Sequence, residues 1–175
     1  MPINFENISY LKQGNTRQKA AYKAIKALNI FNTLQQFNPI LTGTIPIEID
    51  IPNSDLDIIC YCKNHEYLQE VLIYNFKDET DFEINTIIQN KVKSTIATFK
   101  FDGFVFEIFG QNTPTKKQNA YKHMLIEYDI LQQKGTSFKN TIIALKLQGL
   151  KTEPAFAKAL HLPGNPYEAL LAFKF

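Results

Sequence analysis

Three acidic side chains stand in segments that are otherwise typical of buried strands. Asp55 and Asp57 occur in Ser-Asp-Leu-Asp-Ile-Ile-Cys, and Glu107 occurs in Phe-Val-Phe-Glu-Ile-Phe. Because side chains alternate along a strand, Asp55 and Asp57 share one face, opposite the apolar residues that separate them. Burial of an unpaired carboxylate costs much free energy, so these acids require either a partner or a function.

A divalent cation is one partner that accounts for all three acids. If the two strands are neighbours, the carboxylates meet at one place. Mg²⁺ takes hard oxygen ligands from a few carboxylates and keeps other positions for water and substrate phosphates. The alternative needs no ligand: Asp55 ends a turn formed by residues 52–54, and Asp57 lies at the solvent-exposed end of its strand. Glu107 then pairs with a lysine.

A glycine and a hydroxyl residue precede the acidic segment and favour the first interpretation. Gly43 and Thr44 follow a short apolar strand. A backbone without a Cβ can approach phosphate oxygens closely and present its amide groups to them. The turn Pro-Asn-Ser, which includes Ser54, then leads directly into the two aspartates.

The first two thirds of the chain must supply the elements that position these side chains. Helical spacing of apolar residues predicts two helices, at residues 16–28 and 65–74. Alternating or continuously apolar patterns predict strands at residues 45–51, 56–62, 82–89, 93–101 and 104–109. Two prolines confine the first strand to an edge or a hairpin arm. Asp102-Gly103 predicts a tight turn between the last two strands.

Beyond Gly110 the pattern becomes helical throughout. Four helices are predicted, at residues 117–134, 138–150, 154–160 and 166–173. We therefore predict an α+β fold in which helices flank a mixed sheet. The α/β core would span residues 1–112, and residues 113–175 would form a C-terminal helical segment packed on it in one compact unit.

The length, net charge and composition of the chain limit the classes of protein to which it can belong. With 175 residues, 45% of them hydrophobic, the chain has material for one domain with a sizeable core. A net charge of +2 gives no strong signal for nucleic-acid binding. No segment has the roughly 18 apolar residues of a membrane span, and Cys60 and Cys62 are too close for an ordinary disulfide. These features predict a cytoplasmic protein without a membrane partner.

Several common catalytic motifs are absent from the sequence. It contains no glycine-rich dinucleotide fingerprint, no P-loop, no Gly-x-Ser-x-Gly and no His-Glu-x-x-His. Hydride transfer and hydrolase-triad chemistry therefore lose their usual sequence support.

The segment 40–110 resembles the polymerase-β-like nucleotidyltransferases. Their signature is a Gly-Ser or Gly-Gly pair, about ten further residues, two aspartates separated by one residue and a third carboxylate on a later strand. Gly43 and Thr44 match the pair, with Thr in place of Ser. Asp55 and Asp57 match the aspartates, and Glu107 matches the third carboxylate. The whole chain is also similar to an uncharacterised family of bacterial nucleotidyltransferase-like proteins classed as a domain of unknown function.

The resemblance implies a nucleotidyltransferase-like sheet and a metal-dependent transfer of a nucleoside monophosphate from a nucleoside triphosphate to a hydroxyl group. Two Mg²⁺ ions, or Mn²⁺, would be held by the three carboxylates, with Glu107 nearest the acceptor. The backbone at Gly43 and Thr44 and the Thr44 hydroxyl would hold the β- and γ-phosphates, and Ser54 would be a further nucleotide-binding residue. The acceptor, a small molecule or a protein side chain, and the oligomeric state are not indicated by the sequence.

The first helix beyond Gly110 carries further nucleotide-binding candidates. Lys117 and Lys122 could bind phosphate, and Tyr121 could stack on a base. The alternative for the lysines is a solvated helix face, because helical spacing places Gln118, Lys122 and Glu127 away from the apolar stripe.

Two departures from the family pattern support a rival function. Small members often carry an arginine and a second glycine soon after the glycine pair, whereas this chain has Ile45-Pro46 and Glu48 there. Arg17, the only arginine, is the only candidate to replace the missing one. A catalytically degenerate fold that serves as a binding or regulatory module, such as a toxin–antitoxin component, is therefore the alternative function. A third alternative is a structural domain whose carboxylates only cap turns.

Overall fold

The computed structural model describes residues 3–89 and 91–174, and a five-stranded mixed sheet forms its centre. The strands are β1 (Ile40–Thr42), β2 (Leu56–Tyr61), β3 (Thr80–Gln89), β4 (Val92–Phe101) and β5 (Phe104–Gln111). Their order across the sheet is β1-β2-β5-β4-β3. β2 and β5 run parallel, and the other neighbouring pairs run antiparallel.

Helices cover both faces of this sheet. They are α1 (Thr16–Ala27), α2 (Ile30–Thr33), α3 (His65–Phe76), α4 (Asn119–Leu147), α5 (Thr152–Ala159) and α6 (Pro166–Leu171). Apolar residues of α1 and α3 form one core with the sheet, and those of α4, α5 and α6 form a second core on the opposite face. The α+β class is therefore confirmed. Within the described residues, no helix has the length and apolar character needed to cross a membrane.

Most elements lie where the apolar pattern predicts them. β2, β3, β4 and β5 each begin and end within two residues of their predicted positions. Asp102 and Gly103 both have positive φ, 46° and 76°, as a tight hairpin turn requires. The helices predicted at 117–134 and 138–150 form α4, which is interrupted at Gly135, where φ is 73°.

The segment 45–51 is not a strand, contrary to the prediction. Ile45, Pro46 and Ile47 are all buried, so consecutive side chains here do not alternate between a core face and a solvent face. The buried side chain of Gln18 donates from Nε2 to the carbonyl oxygens of Ile45 and Pro46, at 3.0 and 3.1 Å. Glu48 has φ of 60° and completes a turn. Proline has no N–H for a strand ladder, and helix α1 satisfies these carbonyl groups instead.

The division of the chain into a core of residues 1–112 and a helical segment of residues 113–175 stays a prediction. β5 ends at Gln111, close to the predicted boundary. Contacts also cross that boundary, since the buried ammonium of Lys146 in α4 donates to the carbonyl oxygen of Ile49 at 2.7 Å.

Candidate functional site

A row of polar side chains crosses the sheet on the face that carries α4, α5 and α6. Thr42 of β1 is the register partner of Asp57 of β2, and Asp57 is the partner of Glu107 of β5. Thr98 of β4 continues the row beside Glu107. Paired residues of neighbouring strands project from the same face. The two acidic strands are thus neighbours, which is the condition for the three acids to meet, and Asp55 lies immediately before the first of them.

The three carboxylates affect one another electrostatically. Burial raises the pKa of Asp57 to about 7, with further contributions from the charges of Asp55 and Glu107, while Lys146 opposes the shift. Burial, followed by the charge of Asp55, also raises the pKa of Glu107, and Lys151 opposes it. Like charges without a cation between them repel. The free protein therefore holds an acidic cluster that a cation would stabilise.

The backbone at Gly43 lies directly against this acidic cluster. Its φ is 80°, a conformation that side chains other than glycine rarely adopt. A Cβ added at this position would overlap Oδ2 of Asp57. The absence of a side chain at residue 43 is therefore what lets the turn after β1 lie directly beside the Asp57 carboxylate.

Thr44 and Ser54 are held together at the same turn. The Thr44 hydroxyl donates to Ser54 Oγ at 3.2 Å, and Ser54 Oγ also accepts from the backbone N–H of Ile51 at 2.9 Å. With both contacts accepted, the hydroxyl hydrogen of Ser54 remains available to a ligand. Arg17 reaches this turn from α1, donating from Nη2 to the Ser54 carbonyl at 3.4 Å, while its guanidinium lies 4.1 Å from the centre of the Phe104 ring.

The polar row forms the floor of a cleft of about 1140 Å³ between the sheet and the C-terminal helices. Seven predicted site residues line it: Gly43, Thr44, Ser54, Asp55, Asp57, Glu107 and Lys117. Tyr121 and Lys122 are not among the described residues that do so, because Tyr121 is packed into the core at 9% exposure and Lys122 faces solvent. The solvated-face alternative thus describes Lys122. Arg17 is likewise not among the described lining residues.

The oxygen donors of these side chains are of the type that Mg²⁺ binds. Their spacing, however, does not form a complete set of ligands around one point. Within residues 3–89 and 91–174, no group of three or more His, Cys, Asp or Glu side chains is arranged to hold a metal ion. Metal binding by Asp55, Asp57 and Glu107 therefore stays a prediction, and it requires their carboxyl groups to move together.

The helical wall of the cleft carries a second cluster that the sequence interpretation did not single out. Glu127 is buried at 4% exposure, and its Oε1 has no hydrogen-bond partner within the described chain. His123 pairs with Glu153, with 3.4 Å between Nδ1 and Oε1, and its Nε2 donates to the Tyr167 carbonyl at 3.0 Å. All three of these ionisable side chains line the cleft.

These side chains shift one another's pKa values. Burial raises the pKa of Glu127 to about 8, helped by the charge of Glu153 and opposed by His123 and Lys146. Burial alone would lower the pKa of His123 and raise that of Glu153. Their mutual hydrogen bond, a backbone hydrogen bond at each residue and the neighbouring charges together outweigh burial, so the pKa of His123 rises and that of Glu153 falls.

The placement of Gln118 and Glu127 on an outward helix side was wrong. Gln118 precedes α4 rather than lying within it, and its Nε2 donates to the carbonyl oxygens of Cys60 and Thr113, both at 2.9 Å. Glu127 lies three residues from both Met124 and Ile130, which are core residues. An acid inside an apolar stripe, the signal that identified Asp57, is therefore present at Glu127 as well.

Glu127→Gln is expected to flatten the dependence of stability on pH. The folded protein keeps a proton on Glu127 between its ordinary pKa of 4.5 and about 8, whereas the unfolded chain releases it. Wild-type stability therefore falls as pH rises through that window. Glutamine removes this loss, so the variant should gain on the order of 3 kcal/mol relative to wild type between pH 5 and pH 8.

Urea unfolding at both pH values measures this difference, and Asp129→Asn, on an exposed side chain of the same helix, is the matched control. His123, Lys146 and Glu153 are present in all three proteins. A gain that is equal at pH 5 and pH 8 would contradict the assignment of the shift to Glu127.

Solved structures with this fold are nucleotidyltransferases. The Cid1 RNA terminal uridylyl transferase aligns with a TM-score of 0.55 and 12% identity, over 79% of this chain and 45% of that chain. A Cid1 poly(U) polymerase mutant bound to MgATP aligns with a TM-score of 0.55 and 14% identity, over 93% of this chain and 53% of that chain. The polymerase core of TRAMP, an RNA surveillance complex, aligns with a TM-score of 0.52 and 10% identity, over 93% of this chain and 50% of that chain. The chain spans about half the length of these structures, and the likeness establishes a nucleotidyltransferase-like fold.

The family described as "Domain of unknown function (DUF4269)" matches residues 23–173. The chain belongs to that family, which confirms the expected membership of a family of unknown function. A bacterial source stays a prediction. No curated protein matches the chain in sequence.

Proposed function

We propose that the protein is a metal-dependent nucleotidyltransferase that transfers a nucleoside monophosphate from a nucleoside triphosphate to a hydroxyl group. The observation that carries the proposal is the register pairing of Asp57 with Glu107, beside the Gly43 turn, on the floor of a large cleft. The nucleotidyltransferase-like fold supports it. Cid1 structures with MgGTP and Mg 3'-dATP bound are among the similar ones.

Asp55, Asp57 and Glu107 are the residues that would hold two Mg²⁺ ions, with Mn²⁺ as a substitute. Burial and neighbouring acids raise the pKa values of Asp57 and Glu107, and a bound cation would favour their ionised forms. When bound, the metal would neutralise charge on the reacting phosphate and lower the pKa of the acceptor hydroxyl.

The remaining parts of the site would bind and orient the substrates. Backbone N–H groups at Gly43 and Thr44 and the hydroxyl of Ser54 would donate to the β- and γ-phosphates. Lys117, two residues before α4, would add a positive charge. Glu107 would accept the proton of the acceptor hydroxyl while the hydroxyl oxygen bonds to the α-phosphorus. The bond between the α-phosphorus and the oxygen that bridges it to the β-phosphorus would break, and pyrophosphate would leave with that oxygen.

A catalytically degenerate binding module is the second candidate, and the turn after Gly43 favours it. Ile45 and Pro46 are buried there, and Glu48 is paired with Lys139 at 2.6 Å. This turn therefore offers no free cationic side chain to a triphosphate. Such a module would bind a nucleotide or a partner without releasing pyrophosphate.

A nucleotide survey distinguishes these candidates. Thermal stability and pyrophosphate release would be measured with ATP, GTP, CTP and UTP, each with Mg²⁺, with Mn²⁺ and with EDTA. We expect at least one nucleotide to raise the melting temperature only when a metal is present. Metal-dependent binding without release of pyrophosphate in the presence of a hydroxyl-rich extract would support the degenerate module. A lack of stabilisation by all four nucleotides, with or without metal, would refute the transferase and any nucleotide-binding form of the module.

A further inference from the structure

The helical wall of the cleft holds a buried acid without a hydrogen-bond donor. Glu127 lines the cleft at 4% exposure, and Oε1 is enclosed without a partner among the described residues. A buried polar atom in this condition costs free energy that folding must offset elsewhere. A side chain that costs stability and faces a cleft is a candidate for ligand binding.

The neighbouring cations are already engaged. The Lys146 ammonium donates to the Ile49 carbonyl at 2.7 Å. His123 contacts Glu153 on one ring nitrogen and the Tyr167 carbonyl on the other. No donor of the described residues contacts Oε1 of Glu127, and a ligand in the cleft could supply one.

The charge of the whole cleft indicates the sign of that ligand. Among the described residues, six carboxyl groups line it: Asp55, Asp57, Glu107, Glu127, Glu153 and Glu168. Against them stand three lysines and one histidine: Lys117, Lys146, Lys151 and His123. The carboxyl groups outnumber these cationic side chains, and they still do so when Glu127 carries its proton. In the metal-free cleft, a cationic ligand is therefore favoured over an anionic one.

We propose that Glu127, with Glu153 beside it, forms a subsite for a protonated amine of the acceptor substrate. An ammonium group supplies the N–H donor that Oε1 lacks and the positive charge that the buried carboxyl group lacks. A neutral hydroxyl supplies only the first. That the amine belongs to the acceptor substrate rests on the proposed nucleotidyl transfer, whereas amine binding itself does not.

The protonation state of Glu127 makes amine binding measurable as the release of a proton. Its pKa is raised to about 8 by burial and by Glu153, so the free protein carries a proton there at pH 7. His123 and Lys146 on α4 and Glu153 on α5 are the ionisable groups that act on it. An ammonium group favours the ionised carboxylate, and its binding therefore releases a proton to solution.

The test is calorimetry of the full chain in EDTA, without nucleotide, using 1,4-diaminobutane as the probe. Butane-1,4-diol and succinate have similar length and carry neutral or negative ends. Glu127→Gln has the shape of the protonated acid and should fold normally, and Asp129→Asn removes an exposed carboxylate from the same helix. Titrations in two buffers of different ionisation enthalpy report the released proton.

We expect the diamine to bind wild type and Asp129→Asn alike, with proton release at pH 7, and the diol and succinate not to bind. Glu127→Gln should bind the diamine at least tenfold more weakly and without proton release. Equal diamine binding by wild type and Glu127→Gln, equal binding of the diol, or no diamine binding at all would each overturn the subsite. Because neither metal nor nucleotide is present, such a failure is separate from failure of the proposed transfer reaction, which the nucleotide survey detects.

Discussion

Asp57→Asn is expected to abolish metal-dependent nucleotidyl transfer while it stabilises the metal-free protein. Asp57 is the central member of the acidic row, between Thr42 and Glu107. In the proposed reaction Asp57 helps to hold the metal ions, so its loss should remove several kcal/mol of transition-state stabilisation, which corresponds to a rate loss of at least about 1000-fold. The metal-dependent rise in melting temperature with nucleotide should disappear as well.

The same substitution should raise the unfolding free energy of the metal-free protein. Burial, Asp55 and Glu107 all raise the pKa of Asp57, so its ionised form is unfavourable in the folded state. Replacing it with a neutral amide should add about 2 kcal/mol of stability near pH 8, where the wild-type carboxylate is ionised.

Asp78→Asn is the matched control, since Asp78 is exposed and follows α3 away from the cleft. It should change neither the transfer rate nor the stability measurably. Denaturant unfolding in EDTA and pyrophosphate release in Mg²⁺ provide the two readouts. A variant that is destabilised and remains fully active would show that Asp57 is a structural residue, as in the turn-capping alternative.

Gly43→Ala is expected to lower both stability and transfer, because residue 43 lies against the Asp57 carboxylate. Its φ of 80° costs a non-glycine residue about 1 kcal/mol. The added Cβ would also overlap Oδ2 of Asp57 and displace it. We expect a total destabilisation of about 2 kcal/mol and, because catalytic geometry tolerates little displacement, a rate loss on the order of 100-fold.

Gly103→Ala separates backbone strain from displacement of the carboxylate. Gly103 has nearly the same φ, 76°, but an added Cβ there meets no atom within 4 Å. It should lose about 1 kcal/mol of stability and no activity. In an Asp57→Asn background, Gly43→Ala should reduce the residual rate no further, because the two substitutions act through one carboxylate. Additive losses would refute that coupling.

The acidic floor of the cleft was predictable from the sequence because the signal is local. A carboxylate between apolar strand residues is recognisable at Asp57 and Glu107 without knowledge of their neighbours. Strand positions and the left-handed turn at Asp102 and Gly103 follow from period-two alternation and glycine placement. These patterns depend on residues only a few positions apart.

The helical wall was not predictable in the same way. Glu127 and Lys146 belong to one helix, whereas Glu153 belongs to another, and their mutual charges act only after α4 and α5 pack. The alternation of 45–51 likewise predicted a strand because nothing local indicates that Gln18 satisfies the carbonyl groups of that segment. The contacts that decide both cases join residues far apart in the sequence.

The sequence by itself therefore determined the α+β class, the strand that follows Asp55 and carries Asp57, and the glycine turn before it. Only the tertiary structure decided that Glu107 pairs in register with Asp57, because strand order across a sheet depends on long-range packing. It also decided that Glu127, a residue of the C-terminal helices, is enclosed beside the same cleft. The periodicity of apolar residues along the chain determines which side chains face a core, whereas the packing of the helices on the sheet determines which polar side chains lie close together.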